Sequence, residues 1–147
     1  MIFEEYYKKY RIFVKIRGEI NDLEIEKIKL DNMVDIQAVP PKESIGTGSK
    51  VDTMLIYTAK KEELETKLFR KKNLIKEIRS QLREKEEELR CSNNILDKVY
   101  LYKYVEKLKW YEICRKIGYE KTKTYDFINE VDEILSKIRI AEKKEKK

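Results

Sequence analysis

The chain has 147 residues, enough for one ordinary domain or for a small domain joined to an elongated one. Charged residues make up 42% and are interrupted by only four glycines and two prolines, a composition of long helices that argues against an enzyme-like core. Histidine is absent, which removes the usual general base and the commonest metal ligand, and a net charge of +6 suits a polyanionic partner without requiring one.

From Phe3 to about Met33, Tyr6, Tyr10, Phe13, Ile16, Ile20, Leu23 and Leu30 recur at three-or-four spacing, which predicts an amphipathic helix. Gly18 within it costs roughly 1 kcal/mol relative to alanine. The segment 34–50, VDIQAVPPKESIGTGSK, holds both prolines and two glycines and carries no helical period, so it is expected to be a loop. Pro40 and Pro41 lack amide donors and have fixed backbone angles, so the first helix must end before them. The run from Gly46 to Lys50 suggests a phosphate loop, but it lacks the G-x-x-x-x-G-K-[ST] spacing and a preceding strand.

From Val51 to about Arg90, Met54, Tyr57, Leu64, Leu68, Ile75, Ile78, Leu82 and Leu89 form a heptad seam, broken by Lys61, Lys71 and Lys85. Some forty residues of helix would span about 60 Å, more than the first helix can cover. The expectation is an all-α fold in which residues 1–90 make an antiparallel, coiled-coil-like helical hairpin. The seam around Ile75 to Leu89 is left for a second copy of the chain or for the C-terminal module. The carboxylate run at Glu84, Glu86, Glu87 and Glu88 fits a solvated helix face better than acid-base chemistry.

Ser92, Asn93 and Asn94 make a polar break at which any of the three is able to cap a new helix, and the domain boundary is placed there. Residues 91–140 then read as a three-helix, helix-turn-helix domain, with a charged tail, 141–147, expected to fray. An apolar helix runs from Ile95 to Leu108. A short helix follows that buries Trp110, Ile113, Cys114 and Ile117, and Gly118 ends it by taking a positive φ. The third helix, from Lys121 to about Ile138, buries Tyr125, Ile128, Val131, Ile134 or Leu135, and Ile138. Lys121, Thr122, Lys123 and Asn129 stay exposed at its leading end to read a major groove, with Lys107, Lys109, Arg115 and Lys116 on flanking phosphates. Asp126, Glu130, Asp132 and Glu133 put negative charge on or just after the same element.

The pattern W-x-x-I-C-x-x-I-G-Y-x-x-x-x-x-Y from Trp110 to Tyr125 resembles the helix-turn-helix of phage ArpU/RinA-type late-transcription regulators, a module similar to the promoter-reading domain of sigma factors. The order of N-terminal helix, Gly/Pro loop, long charged helix and module is similar as well. Cys114 stands where that family has a small alanine-like residue, and Asp126 where it often has a basic one. The resemblance implies a promoter-binding regulator that recruits host RNA polymerase in the cytoplasm of a bacterial host.

Two other functions fit the same elements: a small terminase-like packaging protein, which would form a ring, and an adaptor that docks its acidic third helix on polymerase. No catalytic residue, cofactor or metal is expected. Cys91 and Cys114 lack paired spacing, no apolar run is long enough to cross a bilayer, and no signal peptide is evident, so a reducing cytosol is the expected compartment. Tyr6, Tyr7 and Tyr10, with Tyr100, Tyr102 and Tyr104, either stack on bases of single-stranded nucleic acid or pack between helices. Their helical spacing favours packing.

Overall fold

A computed structural model describes residues 1–37 and 47–145, and within them the fold is all-α. The elements are α1 (Ile2–Gln37), α2 (Thr47–Cys91), α3 (Ile95–Tyr100), a π-helical turn at Leu101–Val105, α4 (Trp110–Ile117) and α5 (Lys121–Glu145). Helix α1 reaches Gln37 and α2 starts at Thr47, so the connection is shorter than the 17-residue loop expected, and Pro40 and Pro41 lie outside the described residues. No described helix is long and apolar enough to cross a membrane.

The described residues divide into two units, one formed by 13–77 and the other by 1–12 together with 78–147. In the first, α1 and α2 exchange polar contacts in descending order. Tyr57 donates to Asp31 at 2.9 Å, Lys27 pairs with Glu65 at 3.4 Å, Lys72 with Glu24 at 3.4 Å, and Lys71 with Glu19. Positions that rise along α2 thus meet positions that fall along α1, and the two segments are antiparallel. Ile16, Leu68 and Ile75 are the buried apolar residues between them. Lys71 sits on the seam, where its stem covers apolar surface while its ammonium reaches Glu19, and Lys61 lies 5.8 Å from the Tyr57 ring centre. These pairs are solvated, so they add little to stability, and register is their main product.

The second unit holds the larger core. Phe3 and Tyr6 from the start of α1 and Ile78, Leu82 and Leu89 from the end of α2 are buried there with Leu96, Val99, Tyr100, Leu101, Ile113, Ile128, Val131, Leu135 and Ile138. Of the two partners expected for the lower seam, a second copy or the C-terminal module, the C-terminal helices share the unit in which Ile78, Leu82 and Leu89 are buried. Lys85 again leaves the seam for a carboxylate, Glu5 at 2.7 Å. The Tyr100 ring stacks on Phe3 and on Tyr104 and meets Tyr6 edge-on, so these members of the two tyrosine clusters pack against one another.

Polar contacts fix the α2–α3 break and close the unit. Asn94 caps α3 by accepting from the Leu96 amide, and the Ser92 hydroxyl donates to Asp97 at 2.8 Å. Asp97 is only 2% exposed, and its other oxygen accepts from the Phe3 amide at 3.0 Å, satisfying a donor in the first turn of α1. At the far end, Arg11 of α1 pairs with Glu142 of α5. Helix α5 consequently continues to Glu145, where a fraying tail was expected from residue 141.

Candidate nucleic-acid interface

The first helix of the C-terminal set stops earlier than its apolar residues suggested. Beyond Tyr100 the hydrogen bonds widen, with the Glu106 amide donating to the Leu101 carbonyl and the Leu108 amide to Tyr102. Lys107 then turns the chain with φ of +56°, a left-handed conformation that side chains disfavour. The helix expected to reach Leu108 therefore ends at Val105, and Lys107 and Lys109 sit on the link into α4.

Helix α4 is eight residues long and ends at Gly118, whose φ of +74° and ψ of +20° are left-handed and whose amide donates to the Cys114 carbonyl. No atom lies within 4 Å of where a Cβ would stand, so glycine is needed there for its backbone angle alone. Three residues, Gly118 to Glu120, link α4 to α5.

The core face of α5 is Thr124, Ile128, Val131, Leu135 and Ile138. Thr124 takes the place assigned to Tyr125, and Ile134 gives way to Leu135. The reason is spacing: Thr124 begins a strict four-three-four-three series, while Tyr125 to Ile128 to Val131 drifts by three. Thr124 is only 1% exposed and loses nothing by burial, because its hydroxyl donates to the Glu120 carbonyl at 2.9 Å.

With that register Tyr125 turns outward, 39% exposed, and stacks at 5.5 Å on Trp110, which is 40% exposed where a buried ring was expected. Tyr111 meets Trp110 edge-on at 6.0 Å, and the Lys121 ammonium lies 4.7 Å from the indole centre. Trp110 and Tyr125 were expected in the core because a hydrophobic pattern counts their rings as apolar. For Tyr125, the four-three series beginning at Thr124 was the signal that placed it outside.

All eight predicted contact residues are exposed: Lys107, Lys109, Arg115, Lys116, Lys121, Thr122, Lys123 and Asn129. They do not form one cluster. Lys121 covers Trp110 and so belongs to the aromatic patch, with Asn129 one turn beyond Tyr125 on the same strip of α5, while Lys109 lies on the link before α4. Lys123, two positions from both Lys121 and Tyr125, belongs to another flank. Arg115 and Lys116 lie at the opposite end of α4, where Lys116 pairs with Glu106 at 3.6 Å and lies 5.2 Å from the Tyr102 ring centre.

The carboxylates of α5 are not equivalent. Asp132 accepts from Lys103 at 2.8 Å and from the Tyr104 hydroxyl, so its charge is balanced from within the unit. Burial and then that bond to Asp132 push the Tyr104 hydroxyl well above the ordinary tyrosine range. Asp126, Glu130 and Glu133 remain exposed, forming an acidic ridge that starts after the basic first turn. Comparisons with protein-family models, with curated proteins and with solved structures found no match to this chain.

Proposed function

We propose that the chain is a phage-type, sequence-specific double-stranded DNA-binding regulator of transcription, acting by binding and not by catalysis in the cytoplasm of a bacterial host. The α4–α5 pair is the reading element, with the leading turn of α5 in the major groove and host RNA polymerase as the protein partner. The single observation that carries this reading is the left-handed Gly118 turn, which joins a short helix to one whose first turn exposes Lys121, Thr122 and Lys123. Lys107, Lys109, Arg115 and Lys116 supply phosphate contacts around it.

Retardation of duplex DNA from the chain's own upstream region, at several salt concentrations, tests the proposal. Lys121→Ala is expected to weaken binding about tenfold, and Lys116→Ala to lower the slope of log affinity against log salt by about one. Unchanged affinity in the first variant removes α5 as the reading helix. The acidic ridge of Asp126, Glu130 and Glu133 favours a second reading, an adaptor that docks on polymerase. Salt-independent binding to polymerase without any shift of duplex DNA would establish that reading instead.

A further inference from the structure

Trp110, Tyr111 and Tyr125 form an exposed aromatic surface at the meeting point of α4 and α5. Trp110 and Tyr125 stack on each other at 5.5 Å, within 27° of parallel, and both rings remain exposed in that arrangement. Resting on the solution of DNA binding given above, we propose that this surface takes the face of an unpaired nucleobase, giving the module a preference for DNA that is locally open.

The chemistry of the rim selects that occupant. Lys121 already places an ammonium over the indole, so a methylated lysine or another cation entering the patch meets like charge. A planar ligand that carries its own anion has the opposite experience, stacking on the rings while its phosphate meets Lys121. A nucleotide is such a ligand. Within a paired duplex both faces of a base are covered by its neighbours, so only a base that has left the stack presents a face to Trp110 or Tyr125. Asn129, one turn beyond Tyr125, adds a donor and an acceptor for a base edge. Asp126 is the adjacent carboxylate, but one residue is about 100° of helix, which takes it off the Lys121–Tyr125–Asn129 strip.

Trp110 is the only tryptophan in the chain, so its emission reports on this patch alone. The test uses the full-length protein with two labelled probes, a mixed-sequence duplex and the same duplex with a central run of unpaired thymines. Affinity is read from probe anisotropy, and stacking from tryptophan emission. The open probe is expected to bind roughly tenfold more tightly and to quench Trp110 at saturation, while the paired probe binds with little quenching. Trp110→Ala should abolish the preference and keep affinity for the paired duplex within about twofold, and Trp110→Phe should retain most of the preference. Tyr125→Ala, which keeps the reporter, should reduce both preference and quenching. Circular dichroism identifies any variant that fails to fold, and the remaining ones decide the outcome. Equal binding of the two probes with unaltered emission would overturn the inference and leave duplex binding standing. Failure of both probes to bind would overturn both.

Discussion

Asp97 ties three parts of the second unit together: the start of α1, the α2–α3 break and α3 itself. Its carboxylate accepts from the Phe3 amide and the Ser92 hydroxyl while almost wholly buried, so removing it strands two donors in a region water barely reaches. Asp97→Ala is expected to destabilise by about 2–3 kcal/mol in urea unfolding, and Asp97→Asn by less, since its amide oxygen still accepts one of the bonds. Nothing near residue 97 in the sequence announces this role. Its partner amide is 94 positions away, and local patterning carries no information at that range.

A second test at this scale concerns Tyr100, whose hydroxyl is pushed far above the usual tyrosine range, first by burial and then by its tyrosine neighbours. The neutral form is favoured on folding, so this contribution is complete below pH about 10 and is lost as rising pH ionises the tyrosine in the unfolded chain first. Thermal melts should therefore fall steeply above that pH. Tyr100→Phe should flatten the alkaline fall while leaving the neutral-pH melt close to that of the parent protein.

At the level of elements, the existence and type of the helices were legible, because periodicity and the scarcity of glycine and proline allow little else. Register and ends were harder. The core face of α5 is set by one residue's difference between Thr124 and Tyr125, and a threonine looks like a surface residue until its hydroxyl is seen donating to Glu120. The early end of the helix before α4 depends on the wide hydrogen bonds of Leu101–Val105 and on the left-handed Lys107, and no sequence signal marks either one. Gly118 is the contrasting case, a turn residue readable from type and position alone. Lys107 is where that logic has not been applied. Lys107→Gly is expected to raise stability by about 1 kcal/mol, as measured by urea midpoint, because glycine takes this φ without the Cβ penalty. Should the midpoint fall, the conformation at 107 carries no such strain.

For the whole molecule, the positive charge is modest and unevenly spread. Residues 91–147 carry 14 basic and ten acidic groups, while residues 1–33 carry seven of each, so any polyanion should be drawn to the C-terminal part. A polar break such as Ser92 to Asn94 reads as a natural cut site, yet Phe3, Tyr6, Ile78, Leu82 and Leu89 share their core with residues beyond it. A fragment ending at Cys91 should consequently bind a hydrophobic dye and associate, whereas the intact chain should do neither. Dye binding by both or by neither would show that this core does not depend on the C-terminal helices.

The bond from the Phe3 amide to Asp97 also sets an order of events on the ribosome. The opening turns of α1 emerge first, but their cap is not translated until some ninety residues later, and the α5 side chain that pairs with Arg11 comes later still. The nascent chain must therefore carry Phe3 and Tyr6 without their C-terminal partners until those residues have been made. This makes the first turns of α1 natural clients of a chaperone waiting at the exit tunnel.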